Sequence, residues 1–169
     1  YTRARFAVRG GGHNGPGLGT VEGGLVIDLK LMKGIRVDPE AHTVQVQGGC
    51  TWGDVDHATH PFGLSVPCGI LSSTGVGGLT LGGGLGHLTR RFGLTIDNLL
   101  AVDMVLADGR FVTASPDQHP DLFLAYSYLL RAFGTKQVLD RDDRTGKLAA
   151  KIREERAPAV KAWVDANLK

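Results

Sequence analysis

Cysteine is scarce in this chain of 169 residues, which contains only Cys50 and Cys68. Two cysteines cannot build the disulfide framework of a small secreted domain, although they could form a single bridge. An excess of one charge is also lacking, because 19 basic and 17 acidic side chains leave a formal net charge of +2. This balance gives no reason to expect a nucleic acid or an acidic membrane as partner.

Long apolar runs are absent too, and none approaches the length of a membrane span. The basic residues near the start are not followed by an apolar stretch, so the pattern does not indicate a signal peptide. We therefore expect a soluble, cytoplasmic protein with no membrane partner, while export of a longer parent chain stays open.

Glycine is abundant in one part of the chain and rare in the other. Of the 25 glycines, 22 lie between Gly10 and Gly93, and the last sixty residues contain two. From Lys136 on, charged residues become frequent, and two helical patterns appear at roughly residues 145–156 and 158–168.

Hydrophobic patterning before that point predicts short strands. Apolar runs predict strands at residues 4–9 and 24–29, and alternating residues predict an antiparallel pair at 35–38 and 43–47. An Asp-Gly pair at 108–109 predicts a hairpin turn.

Few helices are predicted in the same region. Thr51 and Asp54 predict the N-cap and an acidic capping box of a short helix. Ser115 and Pro116 predict the start of another helix, which reaches about Phe133. Residues 64–93 are predicted to be rich in loops.

Residues 10–15 match the dinucleotide fingerprint G-x-G-x-x-G and follow a predicted strand, with Asp28 near the distance expected for a ribose-binding acid. That fold requires a helix directly after the third glycine, since the helix N-terminus holds the pyrophosphate. Residues 16–24 contain too much glycine and proline to form it, which argues against a Rossmann fold.

Two glycine-rich loops without such a helix, at residues 9–15 and 74–86, favour another kind of site. Bare backbone can approach a flat or anionic ligand closely, and its N–H groups can form an anion-binding nest. The alternative is that the glycines only make tight turns in a β-rich fold. The density of the two clusters favours a ligand with a pyrophosphate and a large planar ring.

Several motifs, taken in order, resemble a known family. Residues 9–14, R-G-G-G-H-N, resemble the R-[SG]-G-G-H motif of FAD-linked oxidases of the p-cresol methylhydroxylase / vanillyl-alcohol oxidase (PCMH) type. Within that group the chain is most similar to berberine bridge enzyme-like bacterial oxidoreductases. Further motifs of the family are matched at residues 48–55, 69–86, 90–98 and 105–109.

The resemblance implies an α+β fold. Residues 1–125 would form a PCMH-type FAD-binding domain of mixed and antiparallel sheets with flanking helices, and residues 126–169 a helical tail of unrelated character. Family members continue before the first motif and carry a G-G-G-G-N-F-G-V-V motif and a substrate domain afterwards, so the comparison predicts a chain truncated at both ends. A sheet edge left open in this way would be covered by a partner chain.

The resemblance also implies FAD as cofactor. The first loop would hold the pyrophosphate, His13 would carry the flavin through a covalent histidyl link, the second loop would pass beside the ring, and Asp97 and Asn98 would close the site. The expected cofactor-binding residues are Arg9, Gly10, Gly11, Gly12, His13, Asn14, Thr74, Gly75, Gly77, Gly78, Leu79, Gly82, Gly83, Gly84, Gly86, Asp97 and Asn98.

Many family members carry a second, cysteinyl link to the flavin. Leu71 occupies that position here and Cys68 lies three residues earlier, so the resemblance predicts a single link. No metal site is expected, because the spacing of Cys50, His57, His60 and Cys68 is not a usual zinc pattern. The family's catalytic base comes from the part without a counterpart, so no catalytic residue is assigned.

Two functions are open at this point. The first is flavin-dependent oxidation of a small alcohol or other hydroxyl-bearing substrate, a sugar among the candidates, by hydride transfer to the bound flavin. The second is a non-catalytic remnant, or an FAD-binding fragment without turnover.

Overall fold

The computed structural model describes residues 5–106 and 108–123 of the chain. These residues fall into two compact units. The first contains residues 5–80 and 84–95, and the second contains residues 81–83, 96–106 and 108–123. The helices predicted after residue 145 and the division at residue 125 lie outside the described residues and stay predictions.

The first unit starts with two parallel strands, β1 (Phe6–Arg9) and β2 (Leu25–Asp28). Residues 10–24, which connect them, form turns and no helix. The residues after the G-x-G-x-x-G match thus lack the helix of a dinucleotide-binding fold, as their composition predicts. All four residues of β2 are exposed.

Strands β3 (Ile35–Asp38) and β4 (Thr43–Val46) form the predicted antiparallel pair. At the turn, the Asp38 carboxylate accepts a hydrogen bond from the Ala41 N–H at 2.9 Å. Such an Asx turn depends only on neighbouring residues, so it closes the hairpin without contacts from other parts of the chain.

Helix α1 (Trp52–Thr59) carries the predicted capping box. The Asp54 carboxylate accepts from the Thr51 N–H at 2.7 Å and pairs with the Lys33 ammonium at 2.6 Å. Val55, on the inner face of the helix, is fully buried. The core of the first unit therefore lies under α1, next to Cys50, which is also fully buried.

The prediction of loop throughout residues 64–93 is wrong at two places. Helix α2 (Val76–Leu81) lies inside the second glycine cluster, and α3 (Thr89–Phe92) follows it. Glycine disfavours helix because it loses backbone entropy. A tertiary contact helps to offset that cost, since the Val76 N–H at the start of the helix donates to the Cys50 carbonyl at 2.9 Å.

The second unit contains the antiparallel pair β5 (Val102–Val105) and β6 (Phe111–Ala114). Gly109 has a φ of 85° in the connecting turn, which agrees with the predicted Asp-Gly signal. Ile96 and Ala114 are buried in this unit.

The predicted helix start at Pro116 is wrong. The Ser115 hydroxyl accepts from the Gln118 N–H at 3.0 Å, as an N-cap would. The Ser115 N–H, however, donates to the Gln118 carbonyl at 2.7 Å and closes a turn. His119 then has a φ of 50°, so helix begins only at residue 120.

No helix in the described part of the chain is long and apolar enough to cross a membrane.

The capping carboxylate makes the stability of the first unit depend on pH. The pKa of Asp54 is lowered from 3.8 to about 2, first by the hydrogen bond from Lys33 and then by the Thr51 N–H. A carboxyl group whose pKa is lower in the folded state stabilises the fold above pH 3.8, and that contribution is lost as pH falls towards 2.

We expect Asp54→Asn to lower the free energy of unfolding at pH 7 by about 1 kcal/mol, a value discounted because the Asp54 side chain is 40% exposed. The wild type should therefore lose more stability than the variant between pH 5 and pH 2, as measured by urea unfolding. Asp56→Asn, on an exposed position of the same helix, is the matched control. Parallel stability curves for wild type and Asp54→Asn would contradict the prediction.

Candidate functional site

The first glycine loop leaves the end of β1 and turns at Gly12. The Leu29 N–H donates to the Arg9 carbonyl at 2.9 Å, which fixes where the loop starts. Gly12 has a φ of 72°, a left-handed conformation that glycine adopts without steric cost. The Arg9 side chain folds back over the loop, because a Cβ on Gly12 would lie 3.3 Å from its guanidinium.

The two glycine clusters touch through bare backbone. A Cβ built on Gly11 would lie 2.5 Å from the Cα of Gly75, and one built on Gly75 would lie 2.7 Å from the Cα of Gly11. Real Cβ atoms do not come this close to main-chain atoms, so neither position accepts a larger residue without moving its loop. The structure thus brings together the first loop and the start of the second, as the sequence predicts.

The start of α1 holds Gly75 in place. Thr51 and Gly75 form an isolated antiparallel bridge. On either side, the Trp52 N–H donates to the Thr74 carbonyl at 3.0 Å, and the Val76 N–H donates to the Cys50 carbonyl. The position of the second loop is therefore set by the segment that also caps the helix.

His13 is exposed at the tip of the first loop. Its Nε2 atom lies 3.0 Å from the Ser73 hydroxyl, in the segment that leads into the second loop. Asn14 has a different role in the loop, since its side-chain oxygen accepts from the Leu18 N–H at 2.8 Å and closes the next turn.

The main chain of the first loop suits an anion. In the part of the chain that the structure describes, the N–H groups of residues 10–13 have no hydrogen-bond acceptor, and residues 11–13 are exposed. Successive free N–H groups form an anion-binding nest, and the neighbouring Arg9 guanidinium adds a positive charge. These residues fit the diphosphate of a dinucleotide such as FAD.

The rest of the second loop divides into open and packed positions. A Cβ on Gly78 would meet nothing within 4 Å, whereas one on Gly77 would lie 3.6 Å from the Gly48 carbonyl. Gly84 is packed against Thr95, because a Cβ on Gly84 would lie 2.5 Å from the threonine Cβ.

Leu79 and Gly86 are also engaged in packing. A Cβ on Gly69 would overlap the Leu79 side chain, and a Cβ on Gly86 would overlap the Cys68 carbonyl. Leu79, Gly84 and Gly86 therefore have packing contacts within the first unit, and their role in cofactor binding stays a prediction.

Four of the predicted residues belong to the second unit. Gly82 is exposed and Gly83 is buried, with its carbonyl accepting from the Ile96 N–H at 3.1 Å. Asp97 and Asn98 are exposed in a single 3-10 turn, Thr95–Asn98. Their participation in the same site stays a prediction.

The single covalent link inferred from the cysteine positions stays a prediction. Leu71, at the place of the second link, cannot act as a nucleophile. Burial raises the pKa of Cys68, with a smaller contribution from the charge of Asp56, so its thiol is less ionised than an exposed one.

Sequence reasoning missed Ser73. It lies directly before the matched Thr74, but a lone serine in a loop carries no signal of its own. Its contact with His13 joins residues 60 positions apart and becomes visible only in the folded chain.

A family model described as an FAD binding domain matches residues 2–115. The chain belongs to this family. Its cofactor is FAD, and its fold is the α+β fold of a partial PCMH-type FAD-binding domain, as the sequence motifs predict.

Known relatives agree with this assignment. An FAD-linked oxidoreductase of Dictyostelium discoideum is 44% identical over 120 residues, which are 71% of this chain and 26% of that protein. The crystal structure of 6-hydroxy-D-nicotine oxidase from Arthrobacter nicotinovorans aligns with a TM-score of 0.72 and 39% identity, over 73% of this chain and 27% of that one.

A berberine bridge enzyme-like protein of the moss Physcomitrella patens aligns with a TM-score of 0.69 and 34% identity, over 73% of this chain and 28% of that one. The similarity to berberine bridge enzyme-like proteins is thereby confirmed. Since these relatives include eukaryotic proteins, a bacterial origin stays a prediction. The chain spans about a quarter of the length of the relatives it matches.

The contact between the two loops predicts that alanine substitutions at Gly11 and Gly15 have different effects on FAD affinity. Gly11→Ala should weaken FAD binding by at least tenfold, because its Cβ would overlap the main chain of Gly75. Gly15→Ala is the matched control, since a Cβ there meets nothing within 4 Å and Gly15 has no positive φ. Quenching of flavin fluorescence on titration of the flavin-free chain measures both affinities. Equal affinities would show that this contact does not shape the site.

Proposed function

We propose that this chain is the flavin-binding part of an FAD-dependent oxidoreductase, with the flavin attached covalently to His13. The proposed reaction is oxidation of a small alcohol or other hydroxyl-bearing molecule by hydride transfer to the flavin. The observation that carries the proposal is the exposed His13 on a glycine loop whose main chain touches the second glycine cluster.

Each part of the first loop has a task in this proposal. The N–H groups of residues 10–13 and the Arg9 guanidinium bind the diphosphate through charge-assisted hydrogen bonds. Gly11 and Gly75 bring the two loops together without intervening side chains. His13 provides a ring nitrogen for attachment, and its exposed position leaves the ring accessible to the flavin. When bound, the flavin supplies the two-electron redox chemistry.

Two observations support the redox assignment. The chain belongs to an FAD-binding family, and two relatives with which it shares 40% and 44% identity are named as an oxidase and an oxidoreductase. Support for a hydroxyl-bearing substrate comes from two relatives that act on sugars by their names. They are a xylooligosaccharide oxidase of Myceliophthora thermophila, 36% identical, and the grass pollen allergen Phl p 4 with glucose dehydrogenase activity, 33% identical. Cytoplasmic localisation and a partner chain that covers an open sheet edge remain proposals from the sequence.

The covalent link is tested by acid precipitation of the purified 169-residue chain. We expect flavin absorbance to remain with the precipitated wild-type protein, and all of it to move to the supernatant for His13→Ala, since an alanine offers no nucleophile. His57→Ala, an exposed histidine on α1, is the control and should retain the flavin. Wild-type protein whose flavin is fully extracted by acid would disprove the link.

Turnover is tested separately, on the flavin-loaded chain under anaerobic conditions. If the proposed reaction is right, a panel of alcohols and sugars should contain at least one compound that bleaches the flavin absorbance, and readmitted oxygen should restore it. A flavin that binds covalently but is bleached by no member of the panel, while dithionite still reduces it, would favour the alternative of an FAD-binding fragment without turnover.

A further inference from the structure

The hydrogen bond between His13 and Ser73 links the side chains of two loops that otherwise meet through main-chain atoms. The Nε2 and Oγ atoms are 3.0 Å apart, and both side chains are exposed. An exposed hydrogen bond of this kind contributes little to folding stability. Its effect is instead local, because it orients the imidazole ring.

The two partners differ in how firmly they are held. Main-chain hydrogen bonds to α1 flank Ser73 on both sides, from Gly53 N–H to the Ser72 carbonyl at 2.8 Å and from Trp52 N–H to the Thr74 carbonyl at 3.0 Å. His13 lies in a loop of glycines. Ser73 is therefore the anchored member of the pair, and the histidine ring takes its orientation from it.

A hydrogen bond at one ring nitrogen affects whether the other nitrogen can act as a nucleophile. In a neutral imidazole one nitrogen carries the proton and the other a lone pair, and a hydrogen bond at Nε2 directs Nδ1 towards a reaction partner. When the Nε2–H of His13 donates to the Ser73 hydroxyl, the lone pair is on Nδ1. A serine hydroxyl both accepts and donates, so it can also donate to Nε2 once that proton has left.

We propose that Ser73 is a positioning residue for flavin attachment, which holds His13 with Nδ1 as the attacking nitrogen. The inference rests on the covalent link proposed above and adds the residue that prepares the histidine for it. Ser73 acts through His13 and is not itself a catalytic residue.

The attachment step balances with dioxygen as oxidant. The bond that forms joins Nδ1 of His13 to the 8α carbon of the flavin, and the bond that breaks is a C–H bond of the 8α methyl group. The electron pair of the broken C–H bond passes through the flavin ring to dioxygen. Together with the methyl proton and the Nε2 proton, this gives one hydrogen peroxide. Positive charge builds on the imidazole as the new bond forms, and the Ser73 oxygen stabilises it by accepting from Nε2–H.

The test compares the rates at which flavin-free wild type, Ser73→Ala, Ser73→Thr and Ser72→Ala acquire acid-stable flavin at saturating FAD. Ser73→Ala should slow attachment about tenfold, as expected for the loss of one hydrogen bond to a charged group, while the FAD concentration that gives half the maximal rate is unchanged. Ser73→Thr should restore the rate because it retains the hydroxyl. Ser72→Ala, which removes the neighbouring hydroxyl, should match wild type.

A second measurement does not involve the flavin. Nitrogen-15 NMR of the flavin-free chain should show the His13 ring with its proton on Nε2 in wild type, and a smaller fraction of that tautomer in Ser73→Ala. An unchanged tautomer fraction overturns the inference.

The kinetic outcomes separate this inference from the proposed function. Equal attachment rates for wild type and Ser73→Ala overturn the role of Ser73 and leave the covalent link intact. A shift in the half-saturating FAD concentration that Ser73→Thr does not reverse indicates a merely structural role and overturns it as well. Wild-type protein that binds FAD and never attaches it disproves the covalent link, and the inference with it.

Discussion

Gly11 and Gly75 touch through their main-chain atoms, and neither position has space for a Cβ. Gly75 is held in turn by its bridge to Thr51, the residue that caps α1. The geometry of the exposed first loop is therefore set by the residue that caps α1, which lies between the buried Cys50 and Trp52. Since a main-chain contact cannot be replaced by a different side chain, the loops tolerate little change at the point where they meet.

The site assigns different tasks to main chain and side chains. Free N–H groups of the first loop, with the Arg9 guanidinium beside them, provide a positive surface for a diphosphate without burying a charge. His13 and Ser73 are exposed, and the hydrogen bond from the anchored serine orients the imidazole ring. The main-chain groups that suit the diphosphate and the side chain proposed for attachment are thus separate parts of the first loop.

Local signals in the sequence predict the structure correctly where one short segment decides it. The antiparallel pair at β3 and β4 follows from alternation and an Asx turn, and the capping box follows from Thr51 and Asp54. Such signals mislead where distant contacts outweigh local preference. The helix at Val76–Leu81 forms in spite of its glycines because Cys50 and its neighbours provide hydrogen bonds. At Ser115 the competing structure is local, since a turn closed by Gln118 takes the place of the helix cap.

The sequence by itself determined the family, the cofactor and the two glycine-rich clusters, because ordered motifs and the absence of a Cβ are properties of the residues themselves. Tertiary structure alone decided which of these glycines serve the contact between the loops, which are packed against neighbours such as Thr95, and that Ser73 meets His13. These are contacts between residues up to 64 positions apart, as for Gly11 and Gly75. No local pattern encodes such a distance, since it depends on how strands and helices between the two loops pack.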